Sequence, residues 1–286
     1  MAQTPSQWGV LPDTTVNSTQ INFGGHEWVV IGNENKDIYK NEIAGGTVIS
    51  SGTYGGAQQP EKSVTLLSIK NDFAGGNNVE FRASSGGTCA GINYGTCNNY
   101  PNEYNGSSLQ SQMMGAVPSG KEQGVINPRT LAPVTQTFTS ASSQLLGADG
   151  MTGAEAQTQW YWALSLPEWE AIASSSGDDN TNGVAVRSYP SSWWLRSPRS
   201  NNTLHAFAGG SGGGDDVHLN SVIDAVFVVR PAFNLDLTSV LFTSESSAAG
   251  GKSGATAGGA YTPMATPSAA QKFTFLDKTI SARNSP

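Results

Sequence analysis

Charge is scarce in this chain of 286 residues: Asp, Glu, Lys and Arg together make up 13%, and the net charge is −7. The few basic residues are scattered. Nucleic-acid binders need clustered Lys and Arg to neutralise phosphates, so nucleic acid is excluded as a partner, and an anionic membrane surface with it. No apolar run approaches the roughly 20 residues that span a bilayer, so membrane insertion is not expected. The start, Met1-Ala2-Gln3-Thr4-Pro5-Ser6-Gln7-Trp8, has neither a basic n-region nor an apolar h-region, so no signal peptide is read and synthesis in the cytoplasm is expected. Cysteine is nearly absent. Cys89 and Cys97 bracket a Gly-rich loop that fits either a local disulfide or two free thiols. Zinc would want more ligands, and His26, His205 and His218 are far away in sequence, so neither a metal nor a cofactor is expected.

What is present points to a folded chain. Seven Trp, eight Tyr and ten Phe oppose the aromatic-poor signature of disorder. The length allows one large domain or two small ones and a substantial core without staples. Abundant Gly, Ser, Asn and Thr predict much irregular backbone.

Strand chemistry begins near Ile21. Glu27-Trp28-Val29-Val30-Ile31-Gly32 reads as a strand following a Gly24-Gly25 turn, and Val64-Thr65-Leu66-Leu67-Ser68-Ile69 as one buried on both faces. Two helices are predicted. One runs over Ser107 to Met114 and stops at Gly115. The other starts at Ser165-Leu166-Pro167-Glu168, a capping box with Pro in the first turn, and would turn Trp169, Ile172 and Ala173 to the core. Trp193 to Arg196 and Ala225 to Arg230 read as later strands. Ser244 to Ala270 has little to bury and reads as a linker, with Lys272 to Leu276 as one last strand or a stub.

Catalytic motifs are weak. Gly213-Gly214-Asp215-Asp216 could place two carboxylates on Mg²⁺, but without the large basic enzyme that such chemistry needs it reads as a solvated loop. There is no Gly-x-Ser-x-Gly elbow between a strand and a helix. His205 and His218 read as exposed loop residues rather than bases. Glu168 and Glu170 fit a helix start.

A compositional gap is more informative. The chain has 8 Lys, 11 Glu, 13 Gln, 5 Met and 7 Trp, yet none occurs in the 50 residues from Leu195 to Ser244, where an even spread would put about eight. Clustering accounts for part of this, and an ordinary Gly-rich surface loop is the plain alternative. One mechanism accounts for all of it. Randomising the adenines of AAC or AAT codons gives NNC or NNT codons, which never encode Lys, Glu, Gln, Met or Trp.

The flanks of that stretch are distinctive. Trp193-Trp194-Leu195-Arg196-Ser197-Pro198, a loop-rich segment, then Val229-Arg230-Pro231-Ala232-Phe233-Asn234-Leu235 resembles the C-terminal part of C-type-lectin-fold variable proteins diversified by retroelements. Phe23-Gly24-Gly25-His26-Glu27-Trp28-Val29-Val30-Ile31 resembles that domain's opening strand, and Ser165 to Glu168 its helix start. The resemblance covers about Ile21 to Thr243.

It implies an α+β fold of C-type lectin type, in the formylglycine-generating-enzyme variant, with short strands, two helices and long loops. Residues 1–20 would be an extension, 21–243 the domain with its variable region at about 200–228, and 244–286 a tail with a strand near 272–276. The variable face would comprise Asn201, Asn202, Thr203, His205, Ser211, Asp215, Asp216, His218, Asn220, Val222, Asp224 and Phe227. Trp193, Trp194, Arg196 and Arg230 would anchor the scaffold, with bidentate arginine bonds to the backbone. The implied partner is a protein or cell-surface ligand chosen by the variable region, with display on a phage virion or cell surface. Oligomeric state is left open. Two features depart from the enzymes and lectins of this fold. Cys89 and Cys97 do not lie near the C-terminal strands as the enzyme cysteines do, and no Glu-Pro-Asn or Gln-Pro-Asp loop is present for calcium-dependent sugar binding. A ligand-binding protein is thus expected, with a formylglycine-generating-type enzyme and a structural surface protein as alternatives.

Overall fold

The computed structural model describes residues 14–38, 60–82, 102, 104, 106–120, 122–131, 157–173, 178–198, 205–211, 214–222, 225–245 and 271–275. Over these the chain is a mixed α/β protein, mostly sheet with few helices. In chain order the strands are β1 (Gln20–Phe23), β2 (His26–Gly32), β3 (Ser63–Ser68), β4 (Val79–Glu80), β5 (Ile126–Asn127), β6 (Arg129–Leu131), β7 (Gln157–Gln159), β8 (Trp193–Pro198), β9 (His205–Ser211), β10 (Gly214–Ser221), β11 (Val226–Phe227), β12 (Ala232–Asp236), β13 (Val240–Glu245) and β14 (Gln271–Phe275). The α-helices are α1 (Ser108–Gly115), α2 (Leu166–Ile172) and α3 (Asp178–Arg187).

The main sheet has seven strands in the order β13-β14-β1-β2-β3-β12-β5. All of its pairings are antiparallel except β1 with β14. β3 occupies an interior position, and all six of its residues are buried, as its continuous apolar run predicts. Its polar Thr65 is satisfied by Asn234 directly opposite on β12, with a 2.8 Å hydroxyl-to-amide-oxygen bond. An aromatic cluster fills the core beside this sheet. Trp28 meets Phe233 edge-on at 4.6 Å and Tyr161 at 5.4 Å between ring centroids, and Phe23 lies 5.1 Å from Phe233. Such geometry adds about 0.5–1.5 kcal/mol per pair beyond the area buried.

The helix starts follow their sequence signals. The Ser107 hydroxyl accepts from Gln110 N at 3.0 Å and caps α1. Ser165 and Glu168 form the reciprocal box that starts α2. Trp169 and Ile172 are buried, and Ala173 is half-buried.

Four expectations need correction. A third α-helix, α3, is present among the described residues. Its Asn180-Thr181-Asn182-Gly183 stretch is poor in helix formers, so local propensity hides it. Packing supplies what propensity lacks: a Cβ on Gly183 would lie 2.5 Å from the Ile172 carbonyl oxygen, so α3 presses its backbone against the end of α2. The strand expected over Ala225 to Arg230 shrinks to Val226–Phe227. From Val228 the chain leaves the β4 pairing and crosses to the main sheet, where strand structure resumes at Ala232. The linker reading of Ser244 onward starts too early, because Ser244 and Glu245 still pair with Lys272 and Gln271. Finally, the stretch between the Trp-Trp and Val-Arg-Pro motifs is not loop-rich throughout: β9 and β10 form a hairpin there.

The last strand falls at Gln271–Phe275, inserted between β1 and β13. Residues 246–270, the Cys89–Cys97 loop and residues 1–13 lie outside the described residues.

Candidate binding surface

The hairpin belongs to a second, three-stranded antiparallel sheet in the order β10-β9-β8. Cross-strand partners share a face. Trp193, Gly209 and Val217 therefore line one face, and Trp194, Ala208 and His218 the other.

Trp193, Trp194 and Leu195 have no exposed surface. Trp194 donates its indole N–H to the Val79 carbonyl at 2.8 Å and packs between Phe81 and Phe227, at 5.5 and 4.7 Å between ring centroids. Trp193 bridges to Val228, so the strand that opens the stretch and the segment that closes it touch. Val228 N donates to Ser192 O, and Trp194 N to Val228 O. Both ends of the hairpin are thus fixed at one place.

Two arginines complete the clamp. Arg196 is fully buried and forks onto Glu168, Nη1 to Oε2 at 2.6 Å and Nη2 to Oε1 at 2.9 Å, while Nη1 also reaches the Ala163 carbonyl at 2.6 Å. Glu168 takes a further bond from Arg129 and one from Ser165 N at 2.9 Å. Burial alone would raise the Glu168 pKa, but Arg129 and Arg196, helped by hydrogen bonds from Arg196 and the Ser165 backbone, hold it down at about 2. This carboxylate is ionised at neutral pH and serves as the hub joining α2, β6 and β8. Arg230 works differently. It donates to Ser68 O at 2.9 Å and Val186 O at 3.2 Å, and it sits over the rings of Tyr189 and Trp193 at 4.8 and 4.6 Å. Burial pulls its pKa down to about 9, with Tyr189 acting in the other direction, so it remains a cation at pH 7. The bidentate expectation holds for Arg196 alone, since Arg230 bonds two separate carbonyls, those of Ser68 and Val186. For Arg196 the main acceptor is a carboxylate rather than the backbone alone.

The surface itself is carried unequally by the two strands. Ala206, Phe207, Ala208, Gly209 and Gly210 of β9 are buried, whereas His205 and residues 217–221 are half-buried. His218 stands edge-on to Phe227 at 5.7 Å. Phe227 is half-buried, and beside it Val226 is 48% exposed, the one exposed large hydrophobic among the described residues. The His205 carbonyl accepts from the Asn102 amide at 2.9 Å, which pins the start of β9.

Among the sequence-predicted surface residues, His218 and Asn220 share one face of the hairpin with Phe227 of β11 beside His218, whereas His205, registered on Ser221, lies on the opposite face. Ser211, Asp215 and Asp216 have their backbone in the strands at the tip of the hairpin, with Asp215 and Asp216 in the irregularity between Gly214 and Val217. His205, His218, Asp215 and Asp216 are consequently strand residues and not loop residues. Val222 has no exposed surface, and its carbonyl accepts from Arg82 N at 2.9 Å. A side chain without exposed surface cannot touch a ligand, so Val222 belongs to the support. Asn201, Asn202, Thr203 and Asp224 lie outside the described residues, as do Cys89 and Cys97.

Sequence reading missed Arg129, exposed Val226, the positive φ of Gly210, and Trp169, whose indole Nε1 lies 2.5 Å from where a Cβ on Gly209 would fall. The capping box identified Glu168, but nothing local links it to Arg129, 39 residues away. Among the described residues no group of three or more His, Cys, Asp or Glu could hold a metal ion, and no helix is long and apolar enough to cross a membrane. Comparison of the chain with protein-family models, curated proteins and solved structures returns no match.

Proposed function

We propose that this chain is a ligand-binding protein of receptor or adhesion type, with a C-type lectin-like fold and a recognition surface diversified by a retroelement. It is not an enzyme. Its partner is a protein or other surface molecule, and its place is the exterior of a virion or cell. One coincidence carries the reading. The 50-residue run free of Lys, Glu, Gln, Met and Trp takes in a β-hairpin whose two ends are clamped together by Trp193, Trp194, Arg196 and Arg230, all buried. A support of this kind lets neighbouring surface side chains change at little cost, since substitutions away from the core usually fall within about 0.5 kcal/mol. Antibody loops on their sandwich use the same division between rigid scaffold and changeable contact.

Sequencing the gene from several isolates tests the proposal. Substitutions should concentrate between Asn201 and Phe227 and stay within the amino acids that NNC and NNT codons encode. Changes spread evenly along the chain, or Lys and Glu entering that window, would overturn it.

A further inference from the structure

Among the described residues Arg129, Arg196 and Arg230 are buried, and their charges are balanced differently. Arg129 and Arg196 share the Glu168 carboxylate. Arg230, 1% exposed, pairs with no carboxylate among the described residues. Its Nε and Nη1 each meet one carbonyl oxygen, of Ser68 at 2.9 Å and Val186 at 3.2 Å, and its Nη2 makes no hydrogen bond there. Glu170, the acid that senses Arg187, does not act on Arg230. Carbonyl oxygens carry only partial charge, so burial is left uncompensated and holds the Arg230 pKa down at about 9. Groups perturbed in this way concentrate at functional sites. A second donor stands beside the cation. The Trp193 ring centroid lies 4.6 Å from the guanidinium carbon, and the Trp193 indole N–H is buried with no hydrogen-bond partner among the described residues. Gly210 leaves the space next to that N–H unfilled. A Cβ there would stand 3.2 Å from Trp193 Nε1 and 3.3 Å from the Arg187 carbonyl oxygen, and the φ of +69° suits a residue without a side chain. Val186 to Tyr189 are half-buried and Pro190 is exposed, so this corner borders solvent.

We propose that Arg230 and Trp193 form a site for a small free carboxylate at the C-terminal end of α3, with Arg230 Nη2 and the Trp193 indole N–H each donating to one carboxylate oxygen. The anion supplies the counter-charge that Arg230 lacks, through charge-assisted hydrogen bonds. Two donors on two side chains match the two oxygens of a carboxylate, whereas a phosphate would keep further oxygens without a donor. The near-complete burial of Arg230 admits a small head group and no bulky body. Both side chains belong to the clamp at the base of the hairpin, so occupancy stabilises the support rather than the changeable surface. The site stands independently of the binding reading above.

The test titrates the full chain with sodium formate at pH 7, ionic strength being held constant with sodium chloride. Saturation-transfer NMR reads the formate proton, and inorganic phosphate serves as the competitor. Formate should bind saturably, and phosphate should displace it only at severalfold higher concentration. One of the seven tryptophan indole N–H signals should move with the same midpoint. Trp193→Phe keeps a ring for Arg230 and removes the N–H, so it should raise the formate midpoint at least about tenfold, as loss of a hydrogen bond to a charged group does. Should that variant fail to fold, the parent's indole signals decide. Saturable formate binding that moves no indole N–H overturns the site, as does a Trp193→Phe midpoint equal to the parent's. No saturable formate signal overturns the proposal outright. Phosphate binding tighter than formate overturns the assignment to a carboxylate.

Discussion

Arg196 grips both carboxylate oxygens of Glu168, at 2.6 and 2.9 Å, with no exposed surface on either side chain. The pair ties the strand that opens the candidate surface to the first turn of α2. Removing one partner from a buried ion pair leaves the other charge uncompensated in a poorly solvating interior, at about 3–5 kcal/mol. Glu168→Gln strands two cations, Arg129 and Arg196, whereas Arg196→Met leaves Glu168 with Arg129. Urea unfolding should therefore rank Glu168→Gln as the more destabilising. Equal or reversed costs would show that the hub is not shared.

Acid should expose the same hub. Glu168 has its folded pKa depressed from 4.5 to about 2, so the unfolded chain binds the proton more readily. Its contribution is therefore fully present above pH 4.5 and is lost as pH falls from there toward 2, and the full shift corresponds to roughly 3 kcal/mol. Chemical denaturation at a series of pH values should show stability falling through this window. In Glu168→Gln that part of the slope should be missing.

Val222 and Asn220 are two residues apart, and their substitutions should behave oppositely. Val222 is buried, so Val222→Asn places an amide in the core and should cost at least about 2 kcal/mol. Asn220→Ala and His218→Ala, at half-buried strand positions, should stay within about 0.5 kcal/mol. Thermal melts of the three variants check this, and a costly Asn220→Ala would mean that β10 is part of the support.

Arg230→Lys tests whether shape matters beyond charge. An ammonium is a point donor and cannot lie flat over Tyr189 and Trp193 while bonding both Ser68 O and Val186 O. A loss of about 2 kcal/mol is expected, together with a changed near-ultraviolet circular dichroism signal from Trp193.

Local signals in the sequence located much of this fold. Turn glycines and an apolar run placed β2 and β3, and Ser107 and Ser165 marked the starts of α1 and α2, because each depends on neighbours within a few residues. α3 was hidden because its support comes from Ile172 and Ala173 across a helix-to-helix contact. The candidate surface was legible at its ends, where Trp193, Trp194, Arg196 and Arg230 are large and distinctive. Its interior was not. Gly209 reads as a flexible loop residue until Trp169, 40 positions earlier, is seen lying against it, and the buried state of Val222 depends on neighbours that no periodicity reveals.

The strand Gln271–Phe275 sits between β1 and β13, with Ile21 registered on Gln271. In terms of assembly order, the first strand cannot acquire its outer neighbour until some 250 further residues have left the ribosome. Closing so long a loop costs on the order of 5 kcal/mol of chain entropy, and contacts this remote in sequence slow folding. The main sheet therefore completes late in synthesis, and truncation before residue 271 should leave β1 as an exposed, aggregation-prone edge and β13 without its strand partner.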